Sequence, residues 1–331
     1  MMHGLITFLL TGALVYSVIA LALVTWPFPE SAGKRGDAAD ELDSLVASGN
    51  LVQPAAPRFF EARDGARRLY RLYQGPGPDL LIFLHGSSSD SRYLARLANS
   101  LSKLPGGATV ATLDMRGHGP EPRRRGDVDH VHQQEQDIAD LLAALKRTNR
   151  FDRFLLGGHS IGGGLAIRYA AGHEQPKPDG LVLVAPFIHR KSPAARQDSG
   201  GWATPCIPRF AGIGMLGRFG IHAFENRPVL RFAVPTAARD GGETPLYSWR
   251  LYKSVTPRDN WREEIAAINA PILIVAAEND SIFRSDGYKD IFRNVRQATV
   301  EIISAIDHFQ LSTSDEVPGL IDTWLRKNRQ K

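Results

Sequence analysis

Cysteine is nearly absent: Cys206 stands alone among 331 residues. An intramolecular disulfide and a zinc knuckle are both excluded, and a cytosolic or an unstapled extracytoplasmic setting fits equally. No H-E-x-x-H helix, Walker loop or dinucleotide-binding G-x-G-x-x-G occurs, so no metal and no organic cofactor is expected. An excess of one charge is also slight. Lys+Arg number 40 and Asp+Glu 35, a difference of +5, too small to mark a nucleic-acid binder. No internal repeat is present. With 43% hydrophobic and 23% charged residues, wholesale disorder and a polytopic membrane class are excluded.

Charge is missing altogether from the start of the chain, where the first charged side chain is Glu30. Leu5 to Trp26 is an almost wholly apolar run of 22 residues. As a helix rising ~1.5 Å per residue it spans the roughly 30 Å hydrocarbon core, with Trp26 suited to the interface. The reading is a single-pass anchor. A cleaved signal peptide is the alternative, with Ala20-Leu21-Ala22 as its small-residue site. The lack of Lys or Arg before Leu5 and the length of the run count against it. A buried core helix would show a polar face. Lys34 and Arg35 weakly favour a cytoplasmic carboxyl side, against Asp37, Asp40, Glu41 and Asp43 on the same flank.

Residues 30–57 read as a linker rich in Pro, Ala, Gly and acids. From about Arg58 the pattern changes. Two strands flank an Asp64-Gly65 turn, and Leu80–Leu84 is a continuous apolar run expected of a strand buried on both faces. Further strands are expected at 108–113, 151–156, 181–186, 272–277 and 299–303. Helices are expected at 91–104, 131–148, 162–171 and 317–326. This alternation predicts an α/β fold with a mostly parallel sheet. It breaks at 188–270, a stretch too long for a plain loop, which reads as an inserted cap. The cap holds 12 Lys+Arg and 7 Asp+Glu, so the whole-chain excess of +5 falls there. A basic, aromatic cap would favour an anionic or amphiphilic substrate, or an anionic membrane surface. Arg123-Arg124-Arg125 reads as a solvated loop, with contact to anionic headgroups as the alternative.

The most informative stretch is Gly158-His159-Ser160-Ile161-Gly162, a G-x-S-x-G directly after a buried strand and before a helix. A nucleophile on so sharp a turn needs glycines at Gly158 and Gly162, and the helix start brings a positive dipole to a developing oxyanion. The competing reading makes Ser160 a helix cap. A serine nucleophile needs a base and an orienting carboxylate, expected in the chain order Ser…Asp…His after later strands. Asp280 and His308 occupy such loops. Glu278 and Asp307 are rival carboxylates, Asp307 being the poorer because adjacent side chains in an extended segment diverge. The oxyanion hole needs two backbone amides: Ile161, and one from His85-Gly86-Ser87-Ser88, with Ser87 preferred over Ser88. His85 and His159 read as packing and hydrogen-bonding neighbours.

HGSSS (85–89), DMRGHG (114–119), GHSIGG (158–163), END (278–280) and DHF (307–309) together resemble the α/β-hydrolase superfamily over about residues 58–327. Within it the chain is similar to the monoglyceride lipase, lysophospholipase and serine aminopeptidase-like branch. The resemblance implies an eight-stranded, mostly parallel sheet, a cap after the sixth strand, and Ser160, Asp280 and His308 as the triad. It argues against dehalogenases and epoxide hydrolases, which carry aspartate where Ser160 stands. The expected domains are an anchor at 1–29, the linker, a core of 58–187 with 271–331, and the cap at 188–270.

The expected activity is hydrolysis of a small or amphiphilic carboxylic ester by a membrane-anchored serine hydrolase. An amide, thioester or peptide substrate is the alternative, since one fold hosts many chemistries. A peptidase would need an acidic cap residue such as Glu225 or Glu243 for a free amine. A catalytically silent membrane-tethered domain is the remote alternative.

Overall fold

The structure, a computed structural model, describes residues 2–29, 36–49, 52–120 and 122–329. The flank charges Glu30, Lys34 and Arg35 lie outside the described residues.

The charge-free start forms α1 (Met2–Val24), longer at its beginning than the apolar run and ending before Pro27, whose ring disfavours helix in the residue before it. Only Ala20 and Val24 of α1 are buried. The stretch read as a linker contains a helix, α2 (Asp37–Ala47). Asp37 and Asp40 in its first turn suit the helix dipole. Ala38, Leu42 and Leu45, at i, i+4 and i+7, give it an apolar face, with Ala38 and Leu45 buried. Three apolar positions among four acids make too short a pattern to stand out.

The next elements are β1 (Pro57–Glu61), β2 (Arg67–Tyr73), β3 (Asp79–Leu84), α3 (Ala95–Ser102), β4 (Thr109–Leu113), α4 (Gln133–Thr148), β5 (Arg153–His159), α5 (Ile161–Ala171) and β6 (Gly180–Val184). An insert then carries β7 (Ala203–Pro205), α6 (Ile207–Gly217), β8 (Pro228–Phe232), β9 (Leu246–Ser248), α7 (Trp249–Val255) and α8 (Trp261–Ala267). The chain closes with β10 (Ile272–Ala277), α9 (Asp286–Phe292), β11 (Ala298–Ile303) and α10 (Glu316–Lys327). Every strand expected from the apolar runs is present. The short helix α9 was not foreseen.

Eight strands form one sheet in the order β1-β2-β4-β3-β5-β6-β10-β11. β2 runs antiparallel to β1 and β4, and the other pairs are parallel. Helix pairs α3 with α10, and α4 with α5, cover its two faces, so β3 and β10 are buried along their whole length. That double cover is why these strands read as unbroken apolar runs.

In the insert, β7, β8 and β9 form a small antiparallel sheet. Its strands of three to five residues and the seven-residue helices α7 and α8 fall below the length at which a period can be read, and α6, with Arg209 as its one charged residue, is apolar nearly all round. Arg250 clamps the insert to Asp127 (2.7 Å), and Arg258 bridges Glu264 to Glu135, which also pairs with Arg168 (2.9 Å).

Candidate active site

The strands β5, β10 and β11 are neighbours or near neighbours in the sheet and run parallel, so the loops after them emerge at one edge. There, β5 turns at Ser160 into α5. Ser160 holds φ 55° and ψ −118°, a conformation a serine rarely adopts. Its amide donates to the Val184 carbonyl and its carbonyl accepts from the Phe187 amide, both at 2.9 Å, so the end of β6 and the chain after it pin the strained turn. A Cβ on Gly162 would collide with the Leu84 and His85 carbonyls, and one on Gly158 with the Gly162 backbone.

Asp280 lies beyond β10 and His308 beyond β11. His308 Nδ1–H donates to Asp280 Oδ2 at 2.8 Å, and both side chains are almost fully buried. The other oxygen, Oδ1, accepts the amides of Ile282 (2.8 Å) and Phe283 (2.7 Å), which fixes the carboxylate. The rival carboxylates are committed elsewhere. Glu278 accepts the Ala305 amide at 3.1 Å, and Asp307 accepts those of Phe309 and Gln310, each at 2.9 Å.

Phe283 and Phe309 pack edge-on against the His308 ring, and the His159 ring lies 4.5 Å from it. His159 Nε2–H donates to the His308 carbonyl at 3.1 Å. Burial, reinforced by His308 nearby, pushes His159 well below the ordinary imidazole range, so it stays neutral and serves as a brace. Ser160 and His308 face the same cavity. Among the described residues no hydrogen bond joins their side chains.

The loop after β3 is held from below and from the insert. His85 Nδ1–H donates to the Gly86 carbonyl (2.8 Å), and Nε2 accepts the Met115 amide (3.1 Å). Burial lowers the His85 pKa, in keeping with a neutral ring. Ser88, at φ 67°, donates its amide to the Tyr247 hydroxyl at 3.1 Å. The Ser88 hydroxyl donates to the Thr244 carbonyl, and the Thr244 amide returns a bond to Ser88, both at 2.9 Å. Tyr247 in turn contacts His118 Nε2 at 2.5 Å. His118, kept neutral by burial, uses Nδ1–H on the Arg116 carbonyl, so Nε2 accepts the tyrosine proton. The Ser88 amide is thus occupied, which removes it as an oxyanion donor. Ser87 carries its hydroxyl against Trp202 Nε1–H at 2.8 Å. Ile161, as the first residue of α5, has an amide with no acceptor inside the helix.

A cavity of about 300 Å³ opens above Ser160 and His308. Ser87, Tyr93 and Phe309 line it from the core, Trp202 and Val234 from the insert, and Leu42, Leu45 and Val46 from α2. Sequence reasoning missed Trp202 and Tyr247 as site residues, because nothing in their surroundings has a pattern. The contribution of α2 had a signal in the spacing of Ala38, Leu42 and Leu45.

The basic groups weighed earlier are largely spent on structure. Arg124 pairs with Asp129, and Arg125 donates to the carbonyls of Gly241, Gly242 and Glu243. Arg209 and Arg231 donate to the carbonyls of Trp26 and Pro29 and lie over the Phe28 ring. Cys206 is buried, its Sγ 3.8 Å from the Pro27 carbonyl.

The sheet order, with a serine elbow after β5 and the Asp280–His308 pair beyond β10 and β11, is the architecture of an α/β hydrolase. Residues 78–311 match the serine aminopeptidase S33 family, and the chain belongs to it. Among curated relatives, it is 27% identical over 230 residues to the AB hydrolase superfamily protein YisY of Bacillus subtilis, covering 66% of this chain and 80% of that one. A bacterial membrane phospholipase A described as a virulence factor shares the fold at TM-score 0.56 and 18% identity, over 100% of this chain and 99% of the other. A soluble variant of monoglyceride lipase from Saccharomyces cerevisiae superposes at TM-score 0.59 and 16% identity, over 92% and 99%.

Proposed function

We propose that the protein is a membrane-anchored serine hydrolase of carboxylic esters, with residues 188–270 as a cap over its site. The observation that carries this reading is the buried 2.8 Å His308–Asp280 bond, facing the same cavity as the strained Ser160. Ser160 Oγ attacks the acyl carbonyl while His308 Nε2 takes its proton. Asp280 orients the imidazole and stabilises its charged form. The Ser87 and Ile161 amides hold the tetrahedral oxyanion. His308 returns the proton to the leaving alcohol, leaving an acyl group on Ser160. Water, deprotonated by the same histidine, then releases the acid.

The length and exposure of α1 support the anchor: its 23 residues are mostly apolar and carry no Asp, Glu, Lys or Arg, and only Ala20 and Val24 are buried. Its carboxyl end packs on the insert, which favours retention over cleavage after Ala22. The lipase-like neighbours support an amphiphilic acyl substrate.

A peptide or amide substrate is the second reading, favoured by Glu243 at the cavity. Glu225, the other acidic candidate, pairs instead with His222 at 2.7 Å. Asp90 and Asp240 also line the cavity, but both are neutralised by Arg92. A panel of p-nitrophenyl esters against aminoacyl amides separates the two readings. Ser160→Ala is expected to lower kcat by at least about 10⁴-fold and to abolish fluorophosphonate labelling. Labelling that persists in that variant overturns the assignment.

A further inference from the structure

Helix α2 lies outside the stretch that matches the family, which begins at residue 78. It is nonetheless part of the cavity. Leu42, Leu45 and Val46 face the space above Ser160, and Val52 and Pro54 extend the same wall. The helix is firmly seated. Ala38 and Leu45 join the main hydrophobic core. At its start, Gly36 packs so closely on Gly200 and Gly201 of the insert that a Cβ there would collide with the Gly200 carbonyl. Beyond its end, Arg71 donates to the Ala55 carbonyl at 2.6 Å and the Ala55 amide donates to Tyr73. The opposite wall is Trp202, Val234 and Ala238 of the insert.

The Glu41 carboxyl reaches the neighbourhood of Ser281, Asp280, Asp307 and His308, so α2 touches the surroundings of the proposed base as well as the cavity. Leu42, Leu45 and Val46 with Trp202, Val234 and Ala238 give the cavity an apolar part beside the charged lining of Asp90, Arg92, Asp240 and Glu243, and that apolar part has the chemistry to hold an alkyl chain.

We propose that α2 is the acyl-chain wall of the site: its Leu42–Leu45–Val46 face binds the alkyl chain of an amphiphilic ester and sets the preference for long over short acyl groups. The proposal rests on the esterase reading above. It makes the segment joining anchor and core a specificity element. Short acyl groups would sit at Ser160 without reaching the wall, whereas longer chains would run along it.

The test uses the full chain in nanodiscs, since detergent would compete for the trough. Val46→Trp fills the trough from α2, and Leu42→Ser with Val46→Ser makes the same face polar. Two readouts are taken. The first is the ratio of kcat/KM for p-nitrophenyl dodecanoate to that for p-nitrophenyl acetate. The second is binding of a fluorescent long-chain fatty acid, measured also in Ser160→Ala, where no turnover is expected. Each α2 variant is expected to lower the ratio about tenfold and to weaken fatty-acid binding by a similar factor, as for the loss of a few apolar contacts. Unchanged ratio and binding in both folded variants overturn the wall while leaving the triad intact. Weakened binding in the α2 variants of a protein without Ser160-dependent hydrolysis overturns the esterase reading and retains the wall. If Val46→Trp does not fold, the double serine variant decides.

Discussion

Tyr247 of the insert joins two groups that the sequence keeps far apart, the Ser88 amide and the His118 ring. The tyrosine therefore holds the loop that carries the proposed Ser87 oxyanion donor. Tyr247→Phe leaves a buried amide and a buried imidazole nitrogen unpaired, a cost of ~1–3 kcal/mol. Loop position matters most when charge develops on the substrate oxygen. Steady-state kinetics are thus expected to show kcat falling about tenfold with KM little changed, alongside a lower melting temperature. A change confined to KM would place Tyr247 in substrate binding instead. The same scale separates the histidines. His85, His118 and His159 each spend a ring nitrogen on a backbone carbonyl, whereas His308 bonds the Asp280 carboxylate.

Among the elements, α2 carries the clearest pH response. Burial raises the Glu41 carboxyl from 4.5 to about 7, helped by Asp307 and Asp280 and opposed by Ser281 and His308. Its pKa is thus higher in the seated helix than in the unfolded chain. Between those values the folded state binds more protons, so stability is full below about 4.5 and is lost as pH rises towards 7. Hydrogen exchange over residues 37–47 is expected to quicken across that interval. Glu41→Gln, which carries no ionising group, is expected to flatten the response. An identical pH profile in that variant would show that Glu41 does not control seating of the helix.

At the scale of the whole molecule, the apolar helix and the insert form one body. Ala20 and Val24 of α1 pack with Ile213, Leu216 and Val229 in a hydrophobic cluster separate from the main core. Tyr16 donates to the Met215 carbonyl at 3.2 Å, and a Cβ on Gly212 would come within 2.7 Å of the Ala20 carbonyl. Ile207 at the start of α6 and Phe219 just beyond its end remain 64% and 68% exposed. Removing residues 1–29 would uncover Ile213, Leu216 and Val229 beside them, widening an apolar patch. The truncated protein is expected to float with liposomes and to need detergent in size-exclusion chromatography. A monodisperse protein without detergent would show that the patch beneath α1 does not drive association. Gly212→Leu, which forces the two helices apart, is expected to increase proteolysis after Val24 in the full chain.

The sequence alone determined the sheet, because strands buried on both faces must be apolar throughout, and the elbow, because G-x-S-x-G between a buried strand and a helix is a local pattern; the Leu84 and His85 carbonyls that exclude a side chain at Gly162 come from the end of β3 and the loop after it. It also placed Asp280 and His308, through their positions beyond later strands. Along the chain Ser87 was preferred to Ser88; that the Ser88 amide is engaged follows only from Tyr247, about 160 residues away in sequence. The basic surplus at 188–270 suggested a surface for anions, yet Arg209, Arg231, Arg250 and Arg258 are turned to carbonyls, an aromatic ring and buried acids. The segment at 30–57 read as a linker because its helix buries so few residues. Local pattern reports what a residue needs from its neighbours in the chain; which distant groups satisfy its bonds and line its cavity is decided only when the elements pack.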